Sequence, residues 1–173
     1  MKTGSMAGIN QLGKGMMIAG CVIFLGVLTL WFGAVEEDRQ YPNRNPTSLE
    51  SAGKTSVLLE QDRRGHYTVR GYINNRPIDF LVDTGATDVV IPQNLAMNLG
   101  LKPGRPRQAN TAAGVITVYQ TNIPTLAIAG LTFDNVSGVV NPGMAGGAAL
   151  LGMSVLRHLD LEQTGSTLIL REK

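Results

Sequence analysis

The chain has 173 residues and a formal net charge of +2, and 16% of its residues are charged. A net charge so close to zero does not give the basic surface that nucleic-acid-binding domains need, and we expect no nucleic-acid partner. Its two histidines, His66 and His158, lie far apart without a nearby cysteine, a spacing unlike that of metal sites, so we expect no metal and no cofactor.

The first predicted element is residues 16–35, an apolar run of twenty residues without a charge. That is the length needed to cross a bilayer as a helix. We therefore expect an N-terminal tail at 1–15 and a single transmembrane helix at 16–35. A cleaved signal peptide is the alternative, but the apolar run is long for one, and Trp31 or Phe32 would occupy a position that needs a small residue.

The charges on either side of this run indicate its orientation. Lys2 and Lys14 precede it and the acidic segment 36–38 follows it, although Arg39 and Arg44 dilute the contrast. Positive charge favours the cytoplasmic side. We expect a single-pass protein of the inner membrane, with its C-terminal domain in the periplasm.

Residues 36–54 are polar, contain Pro42 and Pro46, and have no periodic apolar pattern. This composition is typical of a flexible linker. A chain of that length has a root-mean-square reach of roughly 25 Å. The linker is therefore expected to hold the following domain away from the membrane without fixing it.

From residue 55 onward, short apolar runs alternate with turns, which predicts an all-β domain over 55–173. One or two short helices are expected. Pro92 at a helix start and Gly100 after its end indicate the first, at 92–99, and the second is expected at 154–159. The predicted strands are 56–60, 66–73, 77–82, 89–91, 117–119, 124–128, 131–133, 136–140 and 167–171.

The most informative segment of this domain is a strand-like, mostly apolar run, 78–82, that ends at Asp83. A buried strand that ends in an acid places a carboxylate at the floor of a cleft. Gly85 permits a tight turn and close approach by another part of the backbone, and Thr84 can hydrogen-bond within the turn. For Asp-Thr-Gly alone, a plain turn after a strand is the alternative.

Together with Ala86 and Thr87, this segment resembles the active-site loop of retropepsin-like aspartic proteases, in which apolar residues precede Asp, Thr or Ser, Gly, Ala, and Ser or Thr. A second element, Leu150, Leu151 and Gly152, resembles the apolar-apolar-Gly motif that precedes a short helix in that family. The resemblance covers roughly 55–173 and is greatest to bacterial membrane-anchored members. It implies a single-lobe acid protease barrel with Asp83 as the catalytic residue. The tip of the flap that closes over substrate is then expected at Thr111, Ala112, Ala113 and Gly114.

Peptide hydrolysis by carboxylates needs two of them, one ionised to activate water and one protonated to polarise the scissile carbonyl. Two carboxylates about 3 Å apart repel by roughly 5 kcal/mol at an effective dielectric constant of about 20. Such a pair therefore shares one proton, as is known for aspartic protease dyads.

The chain has one Asp-Thr-Gly, and neither Asp134 nor Asp160 is followed by a turn glycine. The economical solution is a homodimer in which the Asp83 residues of both subunits meet at a two-fold axis. Asp88, close to the loop, could tune the pKa of Asp83 or could be an ordinary surface turn residue.

We therefore expect a membrane-anchored, homodimeric aspartic endopeptidase that binds a peptide or protein substrate in extended form between Asp83 and the flap. The alternative is a non-catalytic peptide-binding or dimerisation module with the same fold, tethered to the membrane by 16–35. The intact Asp-Thr-Gly favours the enzyme, because a binding module has no need of a buried acid.

Overall fold

The structure is a computed structural model that describes residues 6–51, 53–111 and 114–173. Its contacts divide the chain into two compact units, Met1–Gln40 and Tyr41–Lys173. The elements, in chain order, are α1 (Met6–Gln40), β1 (Thr47–Ser51), β2 (Lys54–Glu60), β3 (Thr68–Ile73), β4 (Arg76–Val82), β5 (Val89–Pro92), α2 (Gln93–Ala96), β6 (Pro106–Thr111), β7 (Gly114–Ile128), β8 (Leu131–Asn141), β9 (Ala148–Leu151), α3 (Met153–Leu156), β10 (Leu159–Thr164) and β11 (Thr167–Glu172).

The first unit is the helix α1. Its segment Gly15–Phe32 has a mean hydropathy of 2.2 and is not buried, and it is the one helix among the described residues that is long and apolar enough to cross a membrane. The helix is longer than the predicted span 16–35, since it begins at Met6 and ends at Gln40. Residues 1–5 of the predicted tail lie outside the described residues.

In the described chain, the smaller sheet of the second unit has four strands in the order β1-β2-β11-β10, all antiparallel. Its apolar residues alternate along the strands, as the period of a half-buried strand requires. Val57 and Leu59 on β2, with Leu168 and Leu170 on β11, are buried on one face. That face is part of the main hydrophobic core.

The larger sheet of the described chain has seven strands in the order β3-β4-β9-β5-β8-β7-β6, and a further pairing of β3 with β7 closes six of them into a ring. The pairs β4–β9 and β5–β8 are parallel, and the other neighbours are antiparallel. The predicted all-β fold with short helices is confirmed. The largest fully buried side chains inside it are Phe80, Leu59, Ile73, Ile91, Ile123, Leu126, Ile128, Leu151, Leu156 and Leu170.

Two hairpins of this sheet have turns whose central residues are both left-handed. Asn74 and Asn75, between β3 and β4, have φ of 51° and 62°, and Ala129 and Gly130, between β7 and β8, have φ of 45° and 91°. Two consecutive positive φ angles give the turn that matches the right-handed twist of the strands on either side. Each turn lies between two predicted strands, 66–73 and 77–82 for the first and 124–128 and 131–133 for the second.

The second unit begins earlier than predicted. A flexible linker was expected over 36–54, but α1 continues to Gln40 and Thr47–Ser51 form β1, which pairs with β2 from Thr47↔Leu58 to Ser51↔Lys54. The apolar pattern gave no signal because β1 has one large apolar residue, Leu49, which is 53% exposed. This strand is held by its backbone hydrogen bonds to β2, not by burial of its side chains.

Asn43 fixes the start of this unit to the sheets. Its Nδ2 donates to the carbonyl oxygens of Glu60 at 2.8 Å and Thr68 at 2.7 Å, and its Oδ1 accepts from the Glu60 N–H at 2.7 Å. The Asn43 carbonyl also accepts from the Arg70 N–H at 3.1 Å. A buried polar group must be hydrogen-bonded to be tolerated, and Asn43, 5% exposed, meets this condition while joining β2 to β3.

We expect Asn43→Ala in a fragment of residues 41–173 to lower the free energy of unfolding by about 1–3 kcal/mol, because it leaves part-buried backbone groups of Glu60 and Thr68 without the partner that Asn43 supplies. Urea unfolding followed by circular dichroism measures this. Asn45→Ala is the matched control, since Asn45 is exposed. A fragment of 55–173, which lacks both Asn43 and β1, should be less stable still. Equal urea midpoints for all four proteins would contradict the role of Asn43.

Candidate active site

Asp83 directly follows β4, and the backbone around it forms a tight loop. The Asp83 N–H donates to the Leu151 carbonyl at 3.1 Å, and the Asp83 carbonyl accepts from the Ala86 N–H at 3.3 Å. The Gly85 N–H donates to Asp83 Oδ1 at 2.9 Å. The side chain is half-buried. The carboxylate is therefore oriented by its own loop.

The second motif lies against this loop. Leu150 and Leu151 belong to β9, which runs parallel to β4 with Leu151 opposite Val82. At Gly152, a β-carbon would overlap the Asp88 carbonyl oxygen and would lie 2.7 Å from that of Ala86. Only glycine permits so close a crossing. The structure thus brings together the two segments that the sequence singled out.

The start of α3 donates to the same loop. The Met153 N–H donates to the Ala86 carbonyl at 2.8 Å, and the Ser154 N–H donates to the Thr87 carbonyl at 2.9 Å. The first N–H groups of a helix have no partner within the helix. Here the loop supplies acceptors for two of them, so α3 and the loop hold each other in place.

Ser154 contributes a side-chain bond that sequence analysis did not foresee. Its Oγ accepts from the Val89 N–H at 3.1 Å, in a buried environment. This bond ties α3 to the end of the loop formed by residues 83–88, which is called the active loop below. A serine at a helix start is common as a cap of its own helix, so the sequence carried no signal for a partner sixty-five positions away.

A cleft of about 710 Å³ opens above Asp83. The active loop forms its floor and the hairpin of β6 and β7 borders it. At the end of this hairpin, Thr111 Oγ1 donates to the Gly114 carbonyl at 2.8 Å. Ala112 and Ala113, the other two residues of the predicted flap tip, lie outside the described residues. The cleft is lined by Asp83, Gly85, Ala86, Thr87, Asp88, Val90, Arg107, Gln108, Ala109, Asn110, Thr111, Ile116, Val118, Val139, Asn141 and Leu150.

Asp88 is not a surface turn residue, and that interpretation was wrong. It is 7% exposed. Arg107 Nη2 on β6 donates to Asp88 Oδ2, and Ser137 Oγ on β8 donates to Asp88 Oδ1 at 2.8 Å. A buried carboxylate is tolerated when it is paired and hydrogen-bonded. The network joins the active loop to β6 and β8, and β6, which bears Arg107, is not among the predicted strands.

The carboxylates near the loop differ in what they contact. Asp79 forms a two-pronged pair with Arg70, with Nε to Oδ1 at 2.6 Å and Nη2 to Oδ2 at 2.9 Å, and this hydrogen bonding raises the pKa of Arg70. Asp88 is occupied by Arg107. Among the described residues that line the cleft, Asp83 is the one carboxylate without a cationic partner.

No cluster of three or more His, Cys, Asp or Glu side chains that could hold a metal ion occurs in the described part of the chain. The cleft presents the Asp83 carboxylate, main-chain groups of the active loop and the polar side chains of β6. A single carboxylate can act as acid or as base, but it cannot be both at once.

Comparison with known families gives a match over residues 69–158, to the family described as "gag-polyprotein putative aspartyl protease". The matched segment includes the whole of the active loop, the β6–β7 hairpin and the Gly152 crossing. These are the parts of the chain that form the cleft.

Among solved structures, the crystal structure of a retropepsin-like aspartic protease from Rickettsia conorii is similar to this chain, with a TM-score of 0.60 and 28% identity, covering 74% of this chain and 96% of that one. Two curated relatives are both uncharacterized. One, from Sinorhizobium sp, is 27% identical and the match covers 70% of this chain and 54% of the relative. The other, from Rickettsia prowazekii (strain Madrid E), is 30% identical, and the match covers 79% of this chain and 62% of the relative. The chain thus spans between half and two thirds of the length of these relatives.

We expect Gly152→Ala to destabilise residues 41–173 by roughly 1–3 kcal/mol or more, since the added methyl group must displace the carbonyl oxygens of the active loop. The matched control is Gly147→Ala, because a β-carbon at Gly147 would meet nothing within 4 Å. Thermal and urea unfolding of both variants measure the difference. If Gly152→Ala and Gly147→Ala have the same unfolding midpoints, the backbone at Gly152 does not pass as close to the active loop as described.

Proposed function

Because the chain belongs to the gag-polyprotein aspartyl protease family and has the retropepsin-like fold, we propose that it is an aspartic endopeptidase. The observation that carries this proposal is the Asp83 carboxylate, oriented by the Gly85 N–H at 2.9 Å at the floor of a cleft of about 710 Å³. A pocket of this size, bordered by a hairpin and with a converging polar group, suits a polypeptide segment.

We infer that the active form is a homodimer with Asp83 from each subunit at the two-fold axis. Asp83 is the unpaired carboxylate of the cleft in the described chain, and the reaction needs a second one. Thr84 and Gly85, next to Asp83, are exposed in the single subunit. This side of the loop is free to meet a second copy in an isologous contact.

In such a dimer, one Asp83 carboxylate removes a proton from water while the protonated partner donates to the scissile carbonyl oxygen. The two groups then exchange these roles as the amine leaves. The hydrogen bond from the Gly85 N–H keeps each carboxylate in place during both steps. The backbone bonds from the start of α3 keep the loop from relaxing when charge develops.

Substrate would bind in extended form along the cleft. β6 ends the larger sheet of the described chain, so one edge of this strand has main-chain donors and acceptors that no neighbouring strand uses. An extended peptide can add to such an edge and place alternate side chains in pockets. This arrangement supports broad recognition of the peptide backbone.

We further propose that residues 16–35, which contain most of the apolar segment Gly15–Phe32, are a permanent membrane anchor. The two lysines that precede this segment favour the inner membrane with the C-terminal domain in the periplasm. The prediction is that the native protein stays in the membrane fraction after a high-salt wash and has the mass of a chain that retains α1. A native mass lacking the first thirty or so residues would instead identify a cleaved signal sequence.

Asp83→Asn should abolish proteolysis, lowering cleavage of a diverse peptide mixture by at least about 100-fold, because the amide can neither take up nor release the proton. The full chain in detergent at mildly acidic pH, with fragments identified by mass spectrometry, is the assay. Asp134→Asn is the control, since Asp134 is exposed. An excess of Asp83→Asn subunits should also inhibit wild-type protein, because mixed dimers hold one Asp83.

Cleavage by Asp83→Asn at the wild-type rate would exclude the aspartic mechanism. A rate that is proportional to protein concentration down to high dilution, and unaffected by added Asp83→Asn subunits, would exclude the shared site. No cleavage by a wild-type sample that is folded and dimeric would favour the non-catalytic peptide-binding module.

A further inference from the structure

The ion pair at the wall of the cleft is asymmetric. The Asp88 side chain is 8% exposed, whereas that of Arg107 is 40% exposed. Both Asp88 oxygens are occupied, one by Arg107 and one by Ser137. A guanidinium has five N–H donors, and the bond to Asp88 uses one of its nitrogens, Nη2. Negative charge is thus enclosed, while positive charge is presented to the cleft.

A second groove, of about 570 Å³, adjoins the cleft at Arg107 and Val139, which line both. Its other basic residues are Lys102 and Arg105. None of the described residues that line it is Asp or Glu. Both Lys102 and Arg105 are exposed, and neither forms an ion pair within the described part of the chain.

The electrostatic character of the cleft therefore changes along its length. Near the scissile bond, the charged group is the Asp83 carboxylate. Past Arg107, the lining has three cations and no described acid. Grooves lined by charge of one sign attract ligands of the opposite sign. The guanidinium donors of Arg107 that bond to no other described residue fit a carboxylate in a planar, two-pronged geometry.

We propose that this basic groove, defined by Lys102, Arg105 and Arg107, binds acidic side chains of the substrate that lie outside the scissile bond. The inference rests on the proposed function, and it names the substrate class: polypeptides in which Asp or Glu residues flank a central segment that contains the scissile bond. In a two-fold dimer, one copy of the groove serves each half of the cleft, so an acidic flank on either side of the centre meets the same three cations.

The expected effect is moderate. A single exposed ion pair changes affinity by about five-fold at most. Two or three such pairs together should therefore raise the affinity for an acidic peptide roughly ten-fold. The preference should shrink as salt rises, because at about 1 M salt the screening length falls to about 3 Å. A preference of this kind acts on KM and leaves kcat nearly unchanged, since the acidic flanks do not touch the reacting atoms.

The test uses two fluorescent peptides that share an apolar hexapeptide centre and are flanked on each side by three Glu or by three Gln. Fluorescence anisotropy measures their binding to the full chain carrying Asp83→Asn, and mass spectrometry follows their cleavage by wild type. We expect the Glu peptide to bind about ten-fold more tightly at low salt, and to be cleaved with a correspondingly lower KM. At 1 M salt the ratio of the dissociation constants of the two peptides should approach one.

Lys102→Glu combined with Arg105→Glu should reverse the preference towards Gln. Lys54→Glu combined with Arg64→Glu is the matched control, with the same residue types, the same change of charge and exposed positions outside both grooves. It should keep the preference for Glu. This control separates the groove from the overall charge of the domain.

Equal binding of the two peptides would overturn the proposed groove, and so would an equal loss of the preference for the Glu peptide in both double variants. If both peptides are cleaved in that case, the proposed protease function would stand. Selective binding of the Glu peptide without cleavage by wild type would support the groove and count against the protease. The two proposals therefore fail by different measurements.

Discussion

The close crossing of Gly152 beneath the active loop is the constraint on which the rest of the site depends. Because residue 152 has no side chain, the loop carbonyls approach closely enough to accept the Met153 and Ser154 N–H groups at 2.8 and 2.9 Å. The loop then has little freedom of its own. The orientation of Asp83 follows from this arrangement, since the Gly85 N–H can hold the carboxylate only while the loop keeps its shape.

The sequence predicted the parts of this site that are encoded locally. An apolar strand that ends at Asp83, a glycine two residues later and a second apolar strand that ends at Gly152 each give a signal within a few residues, and the fold brings them together through the parallel pairing of β4 with β9. The partners of Asp88 lie 19 and 49 positions away. No local pattern encodes such a pair, because it depends on how β6 and β8 pack around the loop.

The start of the domain was mispredicted for a different physical reason. Burial of apolar side chains gives strands their alternating pattern, but β1 is held by backbone pairing with β2, and Asn43 by hydrogen bonds to Glu60 and Thr68. Polar residues that act through the backbone look like those of a linker in the sequence. The consequence is a short connection: two residues, Tyr41 and Pro42, separate the end of α1 from the buried Asn43.

This short connection bears on how a dimeric site would assemble. A long flexible linker lets two tethered domains search a large volume, whereas a short one confines them, and effective concentration is highest when the linker length matches the distance to be spanned. Two chains held in one membrane by α1 would thus meet far more often than two free domains. A weak dimer contact would then suffice, and the carboxylates would come together mainly where the anchor concentrates the chains. Under the proposed anchor and dimer, α1 would contribute to the chemistry without touching the substrate, because it would determine how often two Asp83 residues share a cleft.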